Sequence, residues 1–122
     1  MKKSLIAFAI ASTLSTSAFA ADTYKIDARH TFPSFEISHL GFSIQRGRFN
    51  TTSGTIALDT ADKSGSIDIS IDATSIDTGL AELEKHLQGE DFFDTAKYPA
   101  ITFKSKSLRF DGDRLTGADG DF

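Results

Sequence analysis

Three histidines are the first residues of this 122-residue chain that could do chemistry. His30, His39 and His86 could hold zinc if they converged, since neutral imidazole is one of its usual ligands. They fall on three separate segments with no short ligand spacing, so structural or rim hydrogen bonding is expected of all three. His39 stands apart because its parity with Phe35 and Ile37 aims it inward, where a polar group needs a partner. Asp111, Asp113, Asp119 and Asp121, interleaved with Gly112, Gly117 and Gly120, invite a calcium-loop reading. The EF-hand pattern fails, with Thr116 at the glycine position and Phe122 at the bidentate glutamate. Asp68 and Asp72 share a strand face as paired catalytic carboxylates would, but the opposite face is wholly aliphatic, which makes them the wet side of a sheet. A nucleophile elbow, a phosphate loop and a Cys-His pair are all missing from the sequence, and Asn50-Thr51-Thr52 is a bare sequon. The expectation is a protein without catalytic residues, metal or cofactor.

The elements that would position such residues are mostly strands. One stretch differs: Leu80, Leu83 and Leu87 recur on one face at i, i+3 and i+7, Asp77 or Thr78 can cap the first turn, and Gly89 can end the helix in the left-handed conformation. Tyr98-Pro99 then hands the chain to an alternation at Ile101 and Phe103. Thr23 to Ile26 reads as a first short strand. Phe35, Ile37 and His39 alternate with Ser34, Glu36 and Ser38, and Gly41 marks a bulge that bends this strand. Arg46 to Phe49 leads into a strand with Ile56 and Leu58 on one face. Ile67, Ile69, Ile71 and Ala73 alternate with Asp68, Ser70 and Asp72 without exception. A phase shift at Leu108 and Phe110 suggests a second bulge, and Asp111-Gly112-Asp113 is a hairpin signal before a returning strand from Leu115 to Phe122. About six strands and one short apolar-faced helix argue for an all-β meander curling into a barrel or half-barrel, the helix lying across one end.

The first twenty residues read as a leader. Lys2-Lys3 is a basic n-region, Leu5 to Leu14 a short apolar run, and Ala18-Phe19-Ala20 a cleavage site, which predicts a signal peptide over 1–20 cut after Ala20. The apolar run is too short for a spanning helix, so no integral membrane span is expected. The chain has no cysteine, hence no lipidation site and no disulfide. Loss of Lys2 and Lys3 turns 13 basic residues into 11 against 17 acidic ones, and net charge goes from -4 to -6, which disfavours a nucleic-acid partner. Phenylalanine is used 11 times and tryptophan never. So many aromatic rings in one domain are either a generous core or the lining of an apolar cavity.

The sequence resembles the YceI-like lipid or polyisoprenoid-binding proteins. The matching segments are Tyr24-Lys25-Ile26-Asp27, His30 to Ser43, Gly47-Arg48-Phe49 with Gly54-Thr55-Ile56, and, most specifically, Ser75 to Gly79, His86-Leu87, Asp91 to Asp94 and Lys97 to Phe103. The resemblance implies a lipocalin-like antiparallel β-barrel exported to the periplasm. It would hold a polyisoprenoid or isoprenoid quinone in its pore, often as a homodimer. It also implies pore-lining roles for Phe35, Ile37, His39, Ile56, Leu58, Ile69, Ile71, Leu83, Leu87, Phe92, Phe93, Ile101 and Phe103. Family members are longer, and roughly eight strands are needed to enclose one small ligand. Residues 21–122 are therefore expected to be a C-terminally truncated domain, an open half-barrel.

Two functions stay open at this point. One is non-enzymatic carriage of an amphiphilic lipid, favoured by richness in Phe and Ile without a catalytic set. The other is a periplasmic partner or stress-response protein whose barrel is packed solid and which acts through its surface.

Overall fold

A computed structural model describes residues 21–122. The expected leader, 1–20, lies outside the described residues. The elements in chain order are β1 (Asp22–Lys25), β2 (Ser34–His39), β3 (Ser43–Phe49), β4 (Thr52–Asp59), β5 (Ser64–Asp72), a single 3-10 turn (Ala73–Ser75), β6 (Ile76–Asp77), α1 (Ala81–Leu87), β7 (Ala100–Asp111) and β8 (Arg114–Asp121). The all-β expectation with one short helix is borne out among the described residues, with eight strands in place of about six.

The strands form two antiparallel sheets, a five-stranded one in the order β1-β4-β5-β7-β8 and a three-stranded one in the order β2-β3-β6. Register fixes the faces, because directly opposed residues project to the same side. Ile56 opposes Ile67, Ile71 opposes Ile101, and Ile69 opposes Phe103, so the aliphatic alternation of β5 runs across its neighbours as one apolar surface. The opposite face carries ion pairs such as Asp68 with Lys104 at 3.8 Å. Asp68 and Asp72 are thereby separated in role. Asp72 caps the 3-10 turn, its Oδ1 accepting from the Thr74 N–H at 2.9 Å.

Both strand pairs leave the large sheet for the small one at the same level. β3 passes into β4 through Asn50-Thr51, and β5 passes into β6 through the 3-10 turn. The two corners are tied together. The Asn50 N–H donates to Ser75 O at 3.0 Å, the Thr51 N–H donates to Ser75 Oγ at 3.0 Å, and the Asp72 N–H donates to Thr51 O at 3.0 Å. This shared corner turns a flat meander into a curved, barrel-like wall. The wall is open among the described residues: β1 and β8 end the large sheet, and the small sheet is not hydrogen-bonded to either.

Three local expectations are corrected. Gly41 does not bulge a continuous strand; Leu40-Gly41-Phe42 is the turn of a hairpin joining β2 to β3, with Leu40 at φ 55° and Gly41 at φ 76°. Two successive left-handed residues reverse the chain, and the Phe42 N–H closes the turn on His39 O at 3.1 Å. Leu40, lacking the flexibility of glycine, holds this conformation at a cost. The helix begins one residue later than its apolar pattern. Its N-cap is Leu80, whose side chain is exposed, and Asp77 and Thr78 do not cap its first turn. The Glu84 carboxylate instead reaches back to accept from the Thr78 N–H at 2.9 Å. Nor is Gly89 left-handed: the helix ends on Gln88 in the right-handed region, and Asp94, at φ 43°, turns the chain afterwards. The bulge expected before Leu108 is present, as register shifts at Ser105/Ser107 and Arg109/Phe110. The hairpin at Gly112-Asp113 is also present, with Gly112 at φ 58°.

Candidate functional site

Where the two sheets face each other, Phe49, Ile76 and Leu87 make a small buried cluster, with Phe35, Ile71, Leu83, Phe93 and Ile101 packed around it. Each member arrives for a local reason. Phe49 is the last residue of β3 and opposes Ile76 in β6, so the two side chains share the inner face. Leu83 and Leu87 lie one turn apart on α1, which lays that face against β6. Phe93 follows in the turn beyond the helix, its backbone N–H donating to Leu87 O at 3.0 Å. The rings of Phe35, Phe49 and Phe93 contact one another at centroid distances of 5.5 to 6.4 Å, Phe49 and Phe93 edge to face at 86°. Such tilted arrangements are the favourable ones for aromatic quadrupoles.

Above this cluster the sheets part to leave a cavity of about 550 Å³, lined by Pro33, Phe35, Ile37, Phe49, Ile71, Phe93, Ile101 and Phe122. Every lining side chain is apolar, and none can be ionised. A space of this kind offers a hydrocarbon chain dispersion contact and release from water, worth about 25 cal/mol per Å² of apolar surface.

Of the pore residues expected from the sequence, Phe35, Ile37, Ile71, Phe93 and Ile101 line this cavity. Leu83 and Leu87 support it from behind. Ile69 and Phe103 occupy the next rung of the same face, and Ile56 and Leu58 extend that face towards β1. Two positions are corrected. His39 is exposed, because it opposes Ser43 in the last pair before the β2–β3 turn, beyond the reach of the core. Phe92 is 54% exposed and packs on the His86 ring at 4.9 Å, while its neighbour Phe93 takes the inward position. Pro33, Phe49 and Phe122 line the cavity without having been expected to. Phe49 could have been found from its parity with Gly47, had Gly47 been recognised as an inward position.

The polar groups lie elsewhere. His30 Nδ1 is 2.8 Å from Asp27 Oδ2, and this bond, with the Arg29 N–H donating to the same carboxylate, holds Asp27 below the ordinary aspartate range. Asp77 is likewise lowered, by the Asn50 side-chain amide donating at 2.9 Å and then by the Gly79 N–H. These bonds fasten turns and corners. Among the described residues no group of three or more His, Cys, Asp or Glu is arranged to hold a metal ion, and no helix is long and apolar enough to cross a membrane.

Comparison with known proteins places this geometry. The YceI-like domain model matches residues 24–122. Protein YceI of Escherichia coli O157:H7 is 46% identical over 123 residues, covering 94% of this chain and 62% of its own length. Protein YceI of Salmonella arizonae is 42% identical over 120 residues. The chain thus spans 62% of the length of the curated relatives it matches. Among solved structures, Burkholderia cenocepacia BcnA superposes with a TM-score of 0.58 at 28% identity, over 66% of this chain and 52% of that one. The Campylobacter jejuni YCEI protein superposes with a TM-score of 0.54 at 30% identity, over 80% and 64%. With the family model matching this chain from residue 24 to residue 122 and its antiparallel sheets shared with solved relatives, this chain belongs to the YceI-like family.

Proposed function

We propose that this protein binds the hydrocarbon tail of an amphiphilic lipid, a polyisoprenoid or an isoprenoid quinone, between its two sheets, and that it carries or holds that lipid without catalysing a reaction. The observation that carries the proposal is the cavity of about 550 Å³ walled only by apolar side chains. Unbranched or prenyl carbon needs no hydrogen-bond partner, whereas a polar substrate placed there would forfeit its own. Residues 1–20 export the protein to the periplasm, where it works. Two full-length copies pair, as the family resemblance implies.

The experiment is mass spectrometry of an organic extract of the full-length protein purified from the periplasmic fraction. Recovery of a prenyl or quinone species in near-stoichiometric amount, from a polypeptide starting at Ala21, is the expected result. Extracts at background level would favour the surface-acting reading, and an intact leader would overturn the assignment of the compartment.

A further inference from the structure

The β2–β3 hairpin ends in a tip unlike an ordinary surface turn. Leu40 is 80% exposed and Phe42 93% exposed, where turns usually carry Gly, Asn or Asp. Ile37 and Ile44 flank them at 58% and 54%. Ile37 opposes Gln45 and Ile44 opposes Ser38, so the two isoleucines project from opposite faces of the ribbon. A neighbouring sheet or helix covers one face of a hairpin. Ile37 is on the cavity face, but Ile44 on the outer face, with Leu40 and Phe42 at the turn, gives the tip apolar groups outside the cavity as well, which suits an environment that surrounds it.

Charge says which environment. The hairpin, residues 34–49, carries two arginines and one carboxylate, Glu36, while the rest of residues 21–122 carries 16 carboxylates against 9 basic groups. The segment from Ser38 to Gln45 holds no carboxylate at all. Arg46 sits at a defined height: it opposes Glu36, three residue pairs below the closing pair of His39 and Ser43, or about 10 Å down the strand at roughly 3.4 Å per residue, while Arg48, opposite Ser34, lies two pairs further down. The height of Arg46 matches the depth of about 5–10 Å to which interfacial elements sink their apolar groups into a bilayer. Arg46 bonds Glu36 at 2.7 Å, but both side chains are mostly exposed, a pair that water screens and a phosphate can join. Arg48 lies 4.7 Å above the exposed Phe32 ring and 3.7 Å from Asp77.

From this geometry we propose that the β2–β3 tip docks the protein on an anionic lipid bilayer, with Leu40 and Phe42 in the acyl boundary and Arg46 at the phosphates. The acidic remainder of the molecule is repelled by such a surface, so the hairpin also fixes the orientation, with the Ile37 side of the cavity towards the bilayer. Docking does not require the cavity to be occupied, and it is read out separately from lipid extraction.

Residues 1–122 hold no tryptophan, so Phe42→Trp adds a reporter at the tip, read as the difference between variant and parent. The test uses the leader-free full-length protein and vesicles of phosphatidylglycerol and phosphatidylethanolamine. Indole emission from the Phe42→Trp variant is expected to shift to the blue on mixing and to be quenched by lipids brominated along the acyl chain. In sedimentation, Leu40→Ser with Phe42→Ser should lower the partition coefficient at least about tenfold. Arg46→Gln should lower it about fivefold on anionic vesicles and leave weak binding to phosphatidylcholine unchanged. Both sets of substitutions lie on exposed positions, and an unchanged cooperative melt verifies the fold. Indole emission indifferent to vesicles, or equal partition of the double serine variant, overturns the proposal. So does emission already blue without lipid, which would place the tip against protein: a second copy if the shift depends on concentration, the same chain if it does not.

Discussion

The ring of Phe35 lies directly on Gly47, its cross-strand partner: a Cβ at position 47 would stand 2.8 Å from Phe35 Cε1. The glycine leaves room for the ring to lie along β3, and the ring in turn forms one side of the cavity. Gly47→Ala is therefore expected to push Phe35 into the cavity while the strands stay paired. The cost should be about 1–3 kcal/mol, as for other overpacked positions. Urea unfolding reads the stability loss, and the amount of lipid co-purifying with the variant should fall. An unchanged lipid yield would mean that Phe35 does not border the tail.

The continuous aliphatic face of β5 leads to a harsher expectation for Ile69→Asp. Ile69 faces inward between Gly54 and Phe103, with no basic side chain on that face at its own rung. A carboxylate there loses water and gains no partner, so a loss of at least about 2 kcal/mol is expected. The urea midpoint tests it, and a midpoint equal to that of the parent would mean that the strand faces are reversed.

How far this fold could be read in advance depended on whether one side of each strand was wet. β5 was plain because Asp68, Ser70 and Asp72 alternate with isoleucine over its inward half. β3 was not, because its inward positions before Phe49 are Ser43, Gln45 and Gly47, and the glycine is there to fit a neighbour's ring. The β2–β3 turn was hidden for a related reason, since Leu40 and Phe42 look like strand residues and no Asn-Gly or Asp-Gly marks the reversal. The cavity was legible in chemistry but not in place. Alternation tells which face a residue takes and is silent about its height in the barrel. Ile71 with Ile101 and Ile69 with Phe103 are neighbouring rungs of one surface, yet only the first pair reaches the cavity. That distinction comes from register and from the corner at Asn50-Thr51, both of which depend on contacts distant in sequence.

The corner itself has a pH signature. Asp77 is held below the ordinary aspartate range first by the Asn50 amide and second by the Gly79 N–H. A carboxyl whose pKa is lower folded than unfolded adds stability above its unfolded pKa, and that contribution is lost as pH falls towards the folded value. Asn50→Ala removes the larger cause, so the Asp77 titration followed by carboxyl NMR should move up towards the ordinary value. The gap in melting temperature between parent and variant should be full at neutral pH and shrink below the ordinary aspartate range. A gap that stayed constant through that range would mean that Asn50 acts by packing alone.

Phe92 and Phe93 are adjacent in sequence and opposite in placement, which makes them the sharpest test of the site. Phe93 packs edge to face on Phe49 at 5.5 Å and lines the cavity, whereas Phe92 leans outward on His86. Removing the Phe93 ring leaves Phe35 and Phe49 without their shared neighbour and opens the cavity floor. Phe93→Ala should therefore cost about 2 kcal/mol or more, less than a fully buried ring because Phe93 is only half-buried. It should also weaken retention of a long-chain lipid, since the tail loses a wall. Phe92→Ala should stay within about 0.5 kcal/mol of the parent and keep its lipid, as exposed substitutions do. Paired urea melts and paired organic extracts decide the matter. A Phe92 variant that lost as much lipid as the Phe93 variant would place the tail along the outer face of the helix turn and not between the sheets.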